Sequence, residues 1–342
     1  MGLSERIEDV QEREESAEAA PETPETPETQ VATRTVRVMT YNVLSGGWPR
    51  VDALETVMRT AQADIIGMQE VRKRTLLELA ERLGMYSVLA VSPQRGSAVG
   101  LLSRWPLSDV NTHANAPMRN ALLEAVIEPD GAAPMRVFVA HLAARYSAWR
   151  AGERVRMREL AYILERMRAS DATGEPQLLM GDFNSLPPDE RLLASRLLLQ
   201  TAENDALRAQ GHDMTGQPGV KRIVPAPLQP LAGALIGVAR LPPVAWAFDQ
   251  VAAVYVPRTV VRQTRAAGYT DLYTLTHPDP RRREMSCPAQ NPAGRIDYIF
   301  ASPALASRLA ACELLSEAPA SPVSAASDHR PMLATLALPT QE

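Results

Sequence analysis

A chain of 342 residues with 45% hydrophobic side chains can bury one large core or two modest ones, and its two cysteines exclude a disulfide framework or a four-cysteine metal site. The net charge of −4 is unevenly placed: residues 1–33 hold ten acids and two bases, net −8, which leaves the remainder at +4. A mildly basic body suits an enzyme for an anionic substrate and falls short of the footprint of a dedicated nucleic-acid binder.

The first 33 residues end in Pro21-Glu22-Thr23-Pro24-Glu25-Thr26-Pro27-Glu28-Thr29 and contain no aromatic side chain. Such a segment buries too little surface to offset the entropy of ordering, and a disordered acidic tail is expected. No apolar signal region is visible at the N-terminus, and Arg6 stands where a myristoylation pattern wants Ser or Thr. The longest apolar stretch, Leu231 to Phe248, is broken by Arg240 and Pro242-Pro243 and makes a poor membrane span, so a cytoplasmic protein is expected.

Alternation over Thr35–Thr40 predicts a strand ending at Asn42, and Leu54, Val57, Met58 and Ala61 predict a helix over Val51–Ala61. Asp64–Met68 reads as a buried strand that delivers Glu70. Thr75–Leu83 reads as a helix stopped by Gly84. Strand-like runs follow at 86–91, 98–103, 106–112, 120–127 and 135–140, with a turn at Pro129-Asp130-Gly131. Residues 149–169 carry Val155, Leu160, Ile163, Leu164 and Met167 at helical spacing. A strand at Gln177–Met180 enters Asp182, a helix is predicted over 188–199, and strands close the chain at Ile296–Ala301 and Pro331–Leu338. Strands alternating with helices twice over predict two packed sheets with helices outside, an α/β sandwich. The Pro-, Gly- and Ala-rich region 204–262 fits no element and reads as an insertion or lid within a domain spanning 34–342.

Six polar signatures stand at the ends of apolar runs: Thr40-Tyr41-Asn42, Gln69-Glu70, His141, Gly181-Asp182-Phe183-Asn184, Arg295-Ile296-Asp297-Tyr298 and Ser327-Asp328-His329. They bring carboxylates, amides and imidazoles to strand tips, where a scaffold can aim them into a shared cleft. That inventory suits a hard divalent cation and a water attacking a phosphate ester. Taken singly, Glu70 also fits a solvated acid, Asn42 a turn residue before Gly46-Gly47, and Asp182 with Asn184 a capping turn. Tyr146 and Trp149 fit base or sugar stacking as well as helix capping, and Arg145 and Arg150 fit phosphate contacts as well as a solvated face.

Together with Leu101-Leu102-Ser103-Arg104-Trp105-Pro106-Leu107, these motifs resemble, in order, the endonuclease/exonuclease/phosphatase superfamily. The resemblance covers about residues 34–338 and implies a deoxyribonuclease I-like fold, a four-layer sandwich of two mixed sheets flanked by helices. It implies Mg²⁺, with Mn²⁺ as an alternative, held by Glu70, Asp328 and Asn42. It implies Asp182 as general base or water-orienting group, Asn184 as phosphate contact, and an Asp297–His329 pair that stabilises the transition state. His141 resembles the deoxyribonuclease, sphingomyelinase and phosphatase branches and is assigned to the leaving group or a phosphate oxygen. The Ser286–Gly294 approach departs from the family pattern, and recognition of a flipped-out abasic sugar is not expected.

The expected function is Mg²⁺-dependent hydrolysis of a phosphate ester, foremost a phosphodiester, with Asn42, Arg145 and Tyr146 meeting the substrate. Nucleic acid, nucleotide, lipid headgroup and inositol phosphate are all candidate substrates. No obligate protein partner is evident and a monomer is expected. The rivals are a sphingomyelinase-like or inositol-phosphate enzyme, with Leu231–Phe248 as an interfacial loop, and a catalytically silent binding module.

Overall fold

The computed structural model of the protein describes residues 32–92, 98–316 and 323–340. The acidic segment expected to be disordered lies outside the described residues up to position 31, and Thr33 already opens the first strand. In chain order come β1 (Thr33–Gly46), α1 (Val51–Ala61), β2 (Ile65–Val71), α2 (Lys73–Leu83), β3 (Tyr86–Val91), β4 (Ala98–Ser103), β5 (Leu107–His113), β6 (Leu122–Ile127) and β7 (Met135–His141). They are followed by α3 (Trp149–Ser170), β8 (Gln177–Asp182), α4 (Ala194–Ala209), α5 (Val220–Ile223), α6 (Ala232–Ala239), α7 (Pro242–Tyr255) and α8 (Thr259–Ala266). The chain closes with β9 (Thr270–Asp271), α9 (Leu272–Thr276), β10 (Asp297–Ala301), α10 (Pro303–Ala306), β11 (Leu309–Leu314), α11 (Val323–Ala326) and β12 (Met332–Pro339).

Among the described residues the strands form two six-stranded sheets, ordered β11-β12-β1-β2-β4-β3 and β5-β6-β7-β8-β10-β9. The pairs β1–β2 and β7–β8 are parallel and the other pairs antiparallel, so both sheets are mixed. The alternation of side chains along each strand sorts the core into layers. Val36 and Val38, Val137 and Val139, Leu178 and Met180, and Ile299 and Ala301 meet between the sheets. Their odd-numbered or even-numbered neighbours face outward: Met39 and Tyr41 pack under α1, while Phe138, Leu179, Tyr298 and Phe300 pack under α3 and α8. The expected α/β sandwich is the fold observed.

Around the site, two regions differ most from the sequence reading. The helix expected at 188–199 starts at Ala194, because residues 187–193 are tied down in an open conformation. Arg258 donates to the carbonyls of Pro187 and Glu190, and the Asp189 and Glu190 carboxylates pair with Arg283, Arg265 and Arg295. The 204–262 region is largely helical, with α5, α6 and α7 packing around Leu198, Val224 and Ala239. Many of its Pro and Gly residues, among them Gly219 before α5 and Pro242-Pro243 opening α7, fall at helix starts, where they bound short helices instead of preventing them. No helix among the described residues is long and apolar enough to cross a membrane.

Candidate active site

The alternation that builds the core also builds the site. Asn42 continues the inward face of Val36 and Val38, His141 that of Val137 and Val139, and Asp182 that of Leu178 and Met180. Asp297 shares its face with Ile299. Register aligns them: His141 lies opposite Asp182 across the parallel β7–β8 pair, and Asp297 lies opposite Asp182 across the antiparallel β8–β10 pair. Polar side chains therefore cap one end of the apolar layer between the sheets. Gly181 makes the close approach possible: its φ is 148°, and a Cβ there would sit 1.8 Å from the Ala140 carbonyl oxygen.

Period alone would send Glu70 to the outer face with Ile66 and Met68. The pairing of β2 with β4 slips between Gln69 and Val71, and Glu70 adopts φ 58°, a left-handed conformation that non-glycine residues adopt at a cost. This bulge turns its carboxylate to accept the Ser45 N–H at 2.8 Å. Asn184 is likewise left-handed, with φ 47°.

Asp182 is the hub. Its Oδ2 accepts from Asn42 Nδ2 at 3.0 Å, and its Oδ1 accepts the Asn184 N–H at 2.8 Å. Nε2 of His141 and Nε2 of His329 lie 3.6 and 3.9 Å from Oδ2, beyond hydrogen-bond length but within strong electrostatic range. Burial and the neighbouring Asp297 charge push the Asp182 carboxyl up to about 6, against the lowering effect of His329, His141 and the Asn184 N–H. His329 Nδ1 bonds Asp297 Oδ2 at 2.9 Å. Burial alone would pull this imidazole down, but Asp297 and the adjacent Cys287 hold it well above the usual histidine range, so it is cationic.

On the other side of Asn42, burial raises the Glu70 carboxyl, but His141, the Ser45 N–H, His329 and the Asn42 amide outweigh it, and Glu70 is held below the usual range. Asp328 is raised, by burial first, with Glu70 and Asp297 adding to it and His329 opposing. Four atoms around this cluster are buried without a hydrogen-bond partner: Asp297 Oδ1, Asp328 Oδ1 and both ring nitrogens of His141. Native interiors rarely leave such groups unpaired, which makes this cluster the candidate place for a bound ligand.

The site residues expected from sequence converge with one exception. Tyr146, in a short 3₁₀ turn, donates to Asn184 Oδ1 at 2.6 Å, and burial, then Asp182, keep its hydroxyl protonated well above the usual range. Asn184 also donates to the Leu142 carbonyl at 2.9 Å, so its amide is held by the protein at both ends. Arg145 is exposed, and its backbone N–H and carbonyl bond the Ala143 carbonyl and the Ala148 N–H. Several supports were not foreseen. Ser327 Oγ donates to the Asn42 carbonyl at 2.6 Å and accepts the His329 N–H, so the serine beside Asp328 ties the turn before β12 to β1. Ser286 Oγ accepts the N–H groups of Ile296 and Asp297. Asn120 donates to the His141 carbonyl, and Glu159 accepts the N–H groups of Ala143 and Arg119. Nothing in the sequence separates Glu159 from Glu165, the exposed acid of α3; only its burial does.

Residues 39–329 match the family described as Endonuclease/Exonuclease/phosphatase. Among solved structures the chain resembles an AP endonuclease from Archaeoglobus fulgidus, at 17% identity over 88% of this chain and 99% of that one, with a TM-score of 0.53. It also resembles an endonuclease/exonuclease/phosphatase from Bacteroides vulgatus, at 17% identity over 89% and 99% with a TM-score of 0.54. A third likeness is to a 3′ phosphatase, NExo, from Neisseria bound to product DNA hairpin, at 16% identity over 87% and 98% with a TM-score of 0.50. Curated protein sequences give no match. At such identities the structural likeness shows the shared fold.

Proposed function

Because the chain belongs to the endonuclease/exonuclease/phosphatase family, a group of phosphoric ester hydrolases, we propose that it cleaves a phosphodiester by direct attack of water, with a divalent cation as cofactor. The observation that carries this reading is the buried Asp297–His329–Asp182–His141 cluster, which pairs a carboxyl raised to about 6 with an imidazole held cationic. A base works best when its pKa lies near the working pH, and Asp182 meets that condition.

In this reading Asp182 takes a proton from the attacking water. The water oxygen forms the new bond to phosphorus, and the bond to the leaving oxygen breaks with its electron pair on that oxygen. Cationic His329, fixed in orientation by Asp297, faces the phosphate oxygens on which charge grows, and the His141 ring nitrogens, unpartnered in the protein, face the phosphate or the leaving oxygen. Such aimed charge is worth several kcal/mol in a water-poor site. Asn184 and Tyr146 serve as a positioning pair, because their polar atoms already bond each other and Leu142.

The residues fit a hard cation. Asp182, Asp297 and His329 present ligand atoms within 4.8 Å of one another, but a protonated imidazole has no lone pair to give a metal. The oxygen set of Glu70, Asp328 and the Asn42 amide suits Mg²⁺ or Mn²⁺ better, and the unpartnered Asp328 Oδ1 belongs to it. When bound, the cation supplies positive charge that polarises the phosphate and offsets charge developing in the transition state.

A phosphodiester, foremost in nucleic acid, is supported by the relatives named as an AP endonuclease and a DNA-bound 3′ phosphatase. The test is an activity panel in EDTA, Mg²⁺ and Mn²⁺ with bis-p-nitrophenyl phosphate, p-nitrophenyl phosphate, plasmid DNA, RNA, sphingomyelin and inositol phosphates. Metal-dependent cleavage of the diester and a nucleic acid is expected. Activity undiminished in EDTA, or confined to the monoester, overturns the proposal.

A further inference from the structure

The helices between β8 and β9 leave a large apolar face uncovered. On α7 the buried side is Ala252 and Phe248 with Asp249, whose carboxylate accepts from the backbone and hydroxyl of Ser195 on α4. The opposite side carries Val244, Ala247, Val251 and Val254 at the three- and four-residue spacing of one helical face, flanked by Trp246 and Tyr255. All six are exposed, Trp246 at 67% and Val254 at 80%. Leu231 and Leu241, at the two ends of α6, extend the surface. A helix that is apolar all round is normally enclosed, and this one is enclosed on only half its circumference.

Charge points to what covers it. From Met214 to Arg258 the chain holds Lys221, Arg222, Arg240 and Arg258 against a single acid, Asp249. That acid is buried against Ser195, so the outward charge is positive, with Lys221, Arg222 and Arg240 all exposed. Between Leu231 and Tyr255 the exposed side chains able to hydrogen-bond are few, Arg240 and Gln250 with the amphipathic aromatics Trp246 and Tyr255. A protein partner of this size would require a hydrogen bond for every one or two hundred Å² of contact, and this face offers almost none. A bilayer makes no such demand. Aromatic side chains beside aliphatic ones, with Arg240 in the link between α6 and α7, match the boundary between acyl chains and anionic headgroups.

We propose that the α6–α7 face docks the protein peripherally on an anionic lipid bilayer. The chain leading into this segment passes the cleft: Gly216 lies so close to Ser45 that a Cβ there would meet the serine hydroxyl at 2.1 Å. Ser45 is the residue whose N–H holds Glu70. The proposal is independent of the catalytic reading.

The test is co-sedimentation of the full chain with vesicles of phosphatidylcholine alone and of equimolar phosphatidylcholine and phosphatidylglycerol. Binding to the anionic vesicles is expected, weakening with salt, with a blue shift of tryptophan emission that is lost in Trp246→Phe. The pair Trp246→Asp and Val254→Asp should weaken binding at least about tenfold while leaving turnover of a soluble diester unchanged. As a second variant, Lys221→Glu with Arg222→Glu and Arg240→Glu should abolish the preference for anionic vesicles. No binding to either vesicle overturns the proposal. So does a dimer in light scattering that the aspartate pair dissociates, which would assign the face to a second copy.

Discussion

Asp182→Asn separates a catalytic role for this carboxylate from a structural one, because the two predict opposite changes in stability. Its carboxyl rises from an ordinary 3.8 to about 6 in the fold. An acid raised by folding contributes nothing below 3.8, and its ionisation opposes folding progressively as pH climbs from there through 6. Two units at 1.36 kcal/mol each make this cost about 3 kcal/mol at neutral pH. Asparagine removes it but introduces a conflict. Its oxygen can keep the Asn184 N–H, yet its NH₂ then faces Asn42 Nδ2, and Asn42 cannot turn because its own oxygen accepts the Leu44 N–H at 3.0 Å. Two opposed donors cost ~1–3 kcal/mol. The variant should therefore equal or exceed the wild type by up to ~2 kcal/mol at pH 7 and lose that advantage near pH 3.5. Turnover should fall by ~10²- to 10⁴-fold. Urea unfolding in EDTA at both pH values, with hydrolysis of bis-p-nitrophenyl phosphate in Mg²⁺, decides the matter. A variant that keeps more than a tenth of its turnover, or that loses 2 kcal/mol at pH 7, refutes the reasoning.

Three further outcomes follow from buried polar groups. Arg295→Met should cost about 3 kcal/mol in urea unfolding, since Arg295 is fully buried and its removal leaves Glu190 and Asp271 with only Arg283 and Arg265 as cationic partners. Burial raises the Glu124 carboxyl, but His113, Arg166, Ser170 and Arg136 together bring it down to about 2. Stability from this group is complete above about 4.5 and is lost as pH falls toward 2. A urea series from pH 5 to 2.5 should show a loss of ~2 kcal/mol that is absent in Glu124→Gln, which is already the weaker protein at pH 7. Tyr146→Phe should lower kcat about tenfold with KM and unfolding midpoint nearly unchanged, since it frees Asn184 Oδ1 without opening a cavity.

The sequence carries the layers of this fold because apolar periodicity is a local property, and the runs ending at Asn42, His141 and Asp182 keep one face to the core. It carries the site residues only as an inventory. That His141, Asp182 and Asp297 stand side by side depends on which strands pair and in what register, with β7 parallel and β10 antiparallel to β8. β11, Leu309–Leu314, was missed because Leu-Ala-Ala-Cys-Glu-Leu has no strand propensity and is held by pairing with β12. The helices of 204–262 were missed for the converse reason: Pro and Gly at their starts and ends mask short apolar segments that fold only against α4.

Glu70 shows why the remaining part of the site could not be read from pattern. Strict alternation assigns it to the helix-covered face, where a carboxylate would have no polar neighbours and burial would drive it neutral. The bulge reverses that assignment at the expense of a left-handed backbone, and the Ser45 N–H, itself presented by a second left-handed stretch from Leu44 to Gly47, completes the turn. Two adjacent strands thus both break their regular geometry at the same level of the sheet, and the result is a carboxylate held charged beside Asn42. Strain of this kind persists only where surrounding structure enforces it, and here it is concentrated on the residues that carry the proposed chemistry. A Glu70→Gly substitution, which relaxes the backbone but deletes both the ligand and the acceptor of the Ser45 N–H, should consequently leave thermal stability in EDTA no higher than that of the wild type while abolishing the stabilisation that Mg²⁺ gives the wild type. Equal Mg²⁺-dependent shifts in Tm for both proteins would place the cation elsewhere.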